Sequence, residues 1–215
     1  MTFEDLWPVA RLRIATPLLE LRYPCDEDLA AMAALATRGI HDPAFMPFLH
    51  PWTDAPADEI GPGMLRYHWR TRAAATPDNW SLPLAVVRDG VVVGCQLARA
   101  EAFAIRREVT TASWLGREHQ GRGTGTEMRA AVLHFAFAGL GADEACSSAI
   151  IGNHASLRVS AKLGYAEDGV SRLSPRGELV VEQRLRLTRE RWATGRRNDI
   201  DIVGLDACRP WFGLD

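Results

Sequence analysis

The order of elements along the chain predicts an α+β fold with a mixed central sheet flanked by helices, and three observations carry it. Asp89-Gly90 between two β-branched runs is a type I′ hairpin signal, so the sheet opens with antiparallel pairing. Two further strands, 108–116 and 144–151, are joined through a helical segment, so the chain crosses over the sheet between them. Two strand-like runs then close the order as an antiparallel pair, at about 165–172 and 178–187.

The elements read in order as follows. Residues 16–23, TPLLELRY, form a strand that starts after Pro17. Asp26 is a helix N-cap, and DEDLAAMAALATRG runs as an alanine-rich helix ending at Gly39. Residues 41–56 hold four prolines together with Phe45, Phe48 and Trp52, which predicts an ordered loop whose apolar side chains must pack on something. A second helix is expected over 64–75, and strands over 82–87 and 91–98. Residues 108–116, EVTTASWLG, alternate as a strand. In the helix that follows, Met128, Ala131, Val132 and Phe135 keep the i, i+3, i+4, i+7 spacing of a buried face. Asn153 opens another helix that Gly164 caps. The reading gives one domain over 1–195 and an extension over 196–215, whose Trp211 and Phe212 dock on the domain or on a partner subunit.

Composition narrows the function. The 215 residues are 47% hydrophobic and 24% charged, enough to bury a real core. A formal net charge of −2 argues against a nucleic-acid surface. The four cysteines, Cys25, Cys95, Cys146 and Cys208, form no CxxC pair, which argues against a zinc site or a disulfide framework and suits a reducing, cytoplasmic setting. Glu4 and Asp5 stand where a signal peptide needs positive charge, and no apolar run reaches the length of a membrane span. The reading therefore expects no metal, no nucleic-acid partner and no membrane partner.

The strongest local signal is Gln120-Gly121-Arg122-Gly123-Thr124-Gly125, between a strand and a helix. Glycines let the backbone approach an anion closely, while helix N-terminal amides supply donors and partial positive charge. A plain strand-to-helix turn needs neither three glycines in five residues nor Arg117 and Arg122 beside them. A P-loop is excluded by spacing and by the missing lysine. A dinucleotide fingerprint would need glycine where Thr126 stands, and Asp143 and Glu144 precede the next strand instead of ending it.

The hexapeptide fits (Q/R)xxGx(G/A), the pyrophosphate signature of the GCN5-related N-acetyltransferase (GNAT) family. SWLGREHQGRGTGTEMRAAV resembles the fourth strand, pyrophosphate loop and third helix of its RimJ/RimL branch. Asn153 to Ser156, followed by Val159 and Lys162-Leu163-Gly164-Tyr165, is similar to that branch's N-x-x-S…KLGF segment. The stretches 41–48, 51–53, 80–86 and 208–213 resemble an actinobacterial subgroup described as succinyltransferases. The resemblance implies a sheet of about seven strands, splayed between the fourth and the fifth.

It also implies an acyl-CoA-dependent N-acyltransferase that works by direct transfer in a ternary complex. The cosubstrate would be acetyl-CoA by the family name, or succinyl-CoA by the subgroup. The acceptor would be a small-molecule amine or a protein or peptide α-amine. Backbone groups of Trp114, Leu115 and Gly116 would pair with the pantetheine arm, with an amide near Leu115 stabilising the oxyanion. Gln120, Gly121, Arg122, Gly123, Thr124 and Gly125 would hold the pyrophosphate. Asn153 would contact pantetheine or serve as a helix cap, and Ser156 would protonate the leaving thiolate. His41, Asp42, Phe48, Trp52 and Trp80 would wall the acceptor site, His41 and Asp42 as an acid–base pair. Branch members self-associate, which implies a homodimer or a larger homo-oligomer.

The resemblance supplies no general base: Thr110 stands where some RimL-like enzymes carry a glutamate, and Glu108, Glu118 and His119 are the nearby candidates. A lysine amine of pKa about 10.4 is roughly 0.04% neutral at pH 7, whereas an α-amine near about 7.8 is roughly 14% neutral. A weakly based site therefore favours low-pKa amines. The rival reading is a non-catalytic CoA-binding sensor or scaffold on the same fold.

Overall fold

The computed structural model describes residues 1–215. Helix α1 (Phe3–Leu6) is closed by a capping box between Thr2 and Asp5. Strands β1 (Arg13–Ala15) and β2 (Glu20–Arg22) then form a hairpin. A single strand over 16–23 is not formed, because Pro17 has no N–H to give a ladder and the chain turns there instead.

Helix α2 (Asp26–Thr37) is capped one residue earlier than expected, at Cys25. Asp28 reaches back to the Cys25 amide while pairing with Arg22 at 2.7 Å. Helix α3 (Ala57–Ala74) starts well before residue 64, entering from Pro56 with Asp58 and Glu59 complementing the dipole in its first turn.

Strands β3 (Asn79–Arg88) and β4 (Val91–Glu101) meet at Asp89 and Gly90, whose φ values of 51° and 76° are those of the expected type I′ turn. A one-turn helix, α4 (Phe103–Arg106), follows between two left-handed residues, Ala102 and Arg107. Next come β5 (Glu108–Leu115), α5 (Thr124–His134), β6 (Glu144–Ile150) and α6 (His154–Lys162). The chain finishes with β7 (Ala166–Leu173), β8 (Val180–Thr188), α7 (Arg189–Thr194) and β9 (Asp201–Val203). No helix is long and apolar enough to cross a membrane.

The nine strands lie in the order β7-β8-β6-β5-β4-β3-β2-β1-β9, two more than the resemblance implied. Both additions are three-residue strands at one edge, β1 and β9, which pair with each other. On one face, α5 and the π-helical turn that continues it (Phe135–Gly139) bury Met128, Ala131, Val132 and Phe135 against Leu82, Leu84, Val86 and Val109. Each such aliphatic side chain contributes about 1.5–3 kcal/mol when fully buried. On the other face, α2 and α3 pack Leu29, Met32 and Met64 over Ala85 and Cys95.

Residues 196–215 are built into this core. β9 extends the sheet, and Cys208 and Phe212 are fully buried. Phe212 meets Trp80 edge-on, ring centroids 5.0 Å apart, and Trp211 packs on Trp7. These aromatic residues fill the domain's own interior instead of presenting a patch to a partner subunit.

Candidate active site

The sheet opens where its only parallel pair parts. β5 and β6 pair over Glu108–Thr110 and Glu144–Cys146 and go no further. Beyond that point β5 is held to β4 alone, with the Gly116 amide donating to the Val93 carbonyl. Alternation of the ladder turns the amides of Ser113 and Leu115 towards the opening.

The loop at the end of β5 is fixed from both sides. A Cβ on Gly116 would stand 2.3 Å from Leu35 Cδ1, so only glycine lets α2 approach here. Gln120 donates its side-chain amide to the carbonyls of Ile40 (2.7 Å) and Leu115 (3.0 Å). It is a strut that positions the loop, not a free ligand group. Gly121 and Gly123 adopt φ of 73° and 80°, and nothing lies within 4 Å of where their Cβ atoms would be. The five amides of Gly121, Arg122, Gly123, Thr124 and Gly125 donate to no other group of the chain. They stand at the positive end of α5, whose N-cap Gly123 provides no side-chain cap. An anion with several acceptor oxygens, such as a pyrophosphate, fits this donor set. The Thr124 hydroxyl is buried and accepts from Arg88 at 3.2 Å, leaving only its amide for a ligand, whereas Arg122 is exposed.

Across the opening, Asn153 caps α6, its Oδ1 accepting from the Ser156 amide at 3.2 Å. That leaves the Asn153 Nδ2 group and the half-buried Ser156 hydroxyl without partners. Tyr165 is buried in the core, as expected from its place in the KLG-Tyr turn, with its hydroxyl 3.3 Å from Thr111 Oγ1.

The 41–54 segment roofs the α2/α3 face of this opening. His41, Phe48, Trp52 and Trp114 form a continuous aromatic row, with centroid distances of 5.6, 5.5 and 6.1 Å. The roof is tied down by Arg176 of the β7–β8 turn, which pairs with Asp54 and donates to the Pro43 carbonyl.

Two expectations fail here. The His41 and Asp42 side chains form no acid–base pair: His41 Nε2 meets Thr53 Oγ1 at 2.7 Å and Nδ1 meets the Asp42 carbonyl, while the Asp42 carboxylate takes the Ala44 amide. Trp80 does not wall the site, because it lies on the opposite face of the sheet, 1% exposed among Phe103, Trp211 and Phe212. Side chains alternate along a strand, so it is the neighbouring Ser81 that faces the roof. Ser81 lines a polar cavity of about 380 Å³ with Arg99, Glu101, Arg106, Glu108 and Thr110.

The sequence-derived candidates for the base already have partners. Glu108 pairs with Arg106 (2.8 Å) and Arg186 (3.0 Å), and Glu118 lies on the surface with Arg38 and His119. Cys146 borders the opening, but burial, then the nearby Glu108 carboxylate, pushes its thiol up to about 12. A thiol held that high is protonated at neutral pH and is a poor nucleophile.

From the sequence Arg129 reads as a phosphate contact or a solvated helix residue, and Glu182 is not singled out. Arg129 is no solvated helix residue: it is 4% exposed, and its guanidinium spans the gap to Ser113 (3.1 Å) and Ser147 (3.0 Å). Its Nε has no acceptor and no carboxylate pairs with it. Its place one residue after Met128 on the buried helix face was the available signal. Glu182 of β8 is also buried, and takes a 2.5 Å hydrogen bond from Ser148 Oγ.

Known proteins share this fold. The fold is similar to RimJ of Mycobacterium smegmatis in complex with CoA disulfide, at 19% identity over 88% of this chain and 96% of that one, TM-score 0.62. It is similar to a spermidine N-acetyltransferase chimera of the Vibrio cholerae and human enzymes, at 17% identity over 82% and 99%, TM-score 0.63. A GCN5-related N-acetyltransferase from Brucella melitensis matches at 17% identity over 84% and 80%, TM-score 0.66. A family model of the acetyltransferase (GNAT) domain matches residues 19–166, more than half of the chain, and the chain therefore belongs to the GNAT acetyltransferase family.

Proposed function

We propose that this protein transfers an acyl group from a CoA thioester directly to a primary amine. The observation that carries the reading is the row of five unpartnered amides at Gly121–Gly125, leading into the opening between β5 and β6. Each charge-assisted hydrogen bond from such an amide to a phosphate oxygen contributes about 1.5–3 kcal/mol. The Leu115 amide donates to the thioester oxygen as negative charge develops there. Asn153 Nδ2 holds the pantetheine arm, and the Ser156 hydroxyl protonates the departing thiolate. The raised Cys146 thiol supports direct attack over a cysteine-bound intermediate. The similarity to a spermidine N-acetyltransferase supports an amine as acceptor.

Arg129 supports a donor whose acyl chain ends in a carboxylate, of the succinyl-CoA class, over acetyl-CoA. A buried cation without an anion is destabilising, and a ligand carboxylate reaching the gap would neutralise it.

The test is release of free CoA thiol from acetyl-CoA and succinyl-CoA in the presence of spermidine, a peptide α-amine or a lysine side chain. Amine-dependent release supports transfer. CoA binding without release on any amine would favour a sensor or scaffold.

A further inference from the structure

We infer that Glu182 is the proton acceptor for the incoming amine, acting through the Ser148 hydroxyl. The inference rests on the acyl-transfer reading above and supplies the base that the sequence did not.

Register places both groups under the roof. In the regular β6–β8 ladder, Ile150 faces Glu182, Ser148 faces Arg184 and Cys146 faces Arg186. Paired residues of an antiparallel ladder share a face, and alternate residues along each strand share it too. Arg186 on that face bonds Glu108 of β5, and Glu108 shares its parity with Trp114, which packs on Trp52 of the roof. Ser148 and Glu182 are therefore on the side of the sheet that the 41–54 segment covers. At the end of β6, Phe45 of the same segment lies 3.3 Å from where a Gly152 Cβ would be.

The carboxylate is unusual in having no counter-charge. It is 8% exposed, and no cation pairs with it. The cations sharing this face are committed elsewhere, Arg186 to Glu108, Glu144 and Asp168, Arg176 to Asp54, and Arg184 to the Asp168 carbonyl, while Arg172 of β7 stands opposite Val181 on the other face. Glu182 Oε1 takes only the Ser148 hydroxyl, and Oε2 has no hydrogen bond yet is not sealed from solvent. Buried carboxylates are ordinarily paired. Here one oxygen is held by a single hydroxyl and the other is free to accept a further hydrogen bond.

The ammonium group of the acceptor gives one proton to Ser148 Oγ as the hydroxyl proton passes to Glu182, leaving the nitrogen its lone pair. That pair forms the C–N bond while the C–S bond breaks and sulfur takes its electrons. A second N–H proton balances the thiolate by way of Ser156, and Glu182 returns its proton to solvent.

The test measures amine-dependent thiol release from acetyl-CoA, with calorimetric binding of acetyl-CoA to each variant. Glu182→Gln is expected to lower kcat about 100-fold at pH 7, with acetyl-CoA affinity and the KM for the amine within twofold of wild type. The deficit shrinks towards pH 9–10, where the amine sheds its own proton, and Glu182→Asp recovers part of the rate. Ser148→Ala loses about tenfold with the same pH rescue. A Glu182→Gln enzyme within twofold of wild type at pH 7, or one equally impaired at every pH, overturns the inference. If that variant fails to bind acetyl-CoA, Ser148→Ala decides: wild-type turnover overturns the relay, and a rescued deficit supports it. A wild-type protein that binds acetyl-CoA and succinyl-CoA and acylates no amine from either overturns the transfer reading itself.

Discussion

Arg129 and Ser147 lie 3.0 Å apart, guanidinium to hydroxyl, across the point where β5 and β6 separate. The same guanidinium reaches Ser113 on the facing strand, so one buried cation closes the gap by neutral contacts alone. Its replacement has opposite consequences for stability and for ligand binding. Arg129→Met removes an uncompensated buried charge and is expected to raise unfolding free energy by about 1–4 kcal/mol in denaturant titrations. It is also expected to erase a tenfold preference for succinyl-CoA over acetyl-CoA, a difference of about 1.4 kcal/mol. A variant that keeps the preference would remove Arg129 from the acyl pocket.

The tail belongs to the core, which changes what truncation does. Phe212 is fully buried against Trp80 and Phe135 at 5.0 and 5.5 Å. Phe212→Ala is expected to destabilise by about 3–5 kcal/mol, read from the denaturation midpoint. Truncation after Thr194 removes β9, Cys208 and Phe212 together and is expected to give an unfolded or aggregating chain. A truncated chain with the wild-type midpoint would contradict this packing.

His68 gives stability a pH dependence. It is 3% exposed on α3, and burial, aided by the nearby Arg72 charge, pushes its pKa down to about 4 from 6.5. The folded state holds it neutral while the unfolded chain takes up a proton below 6.5. Its contribution is therefore fully present above that value and is lost as pH falls towards 4, by roughly 3 kcal/mol in all. Unfolding free energies measured from pH 7 to 4 should decline accordingly, and His68→Leu should flatten that decline. Equal slopes in both proteins would exclude His68 as the cause.

The parts of the molecule governed by local chemistry were legible in the sequence. Asp89-Gly90 specifies its turn because few residues accept two positive φ values in succession. The Gly121–Gly125 loop and the apolar stripe from Met128 to Phe135 announce themselves in the same way. What escaped depends on which face a side chain takes. WSLPLAVV is apolar almost throughout because both faces of β3 are covered, so no alternation revealed that Trp80 points away from the roof and Ser81 towards it. VEQRLRLT reads as a charged, solvated strand, yet Glu182 is only 8% exposed in the folded chain. For Arg129 the sequence leaves a ligand contact and a solvated helix face equally open, and its burial follows from the parting of β5 and β6, a long-range event.

Acyl transfer here depends on the amides of Gly121–Gly125 receiving the phosphates of an acyl-CoA. Calorimetric titration of acetyl-CoA into wild-type protein and into Gly123→Glu tests it most directly, with NADH as control. A glutamate there meets no neighbouring atom, so the fold should hold apart from the strain at its φ of 80°, while its carboxylate repels phosphate. Saturable binding of acetyl-CoA and none of NADH is expected, with affinity falling at least 100-fold, or about 2.8 kcal/mol, in the variant. Undiminished acetyl-CoA binding by Gly123→Glu, or binding of NADH alone, would contradict it.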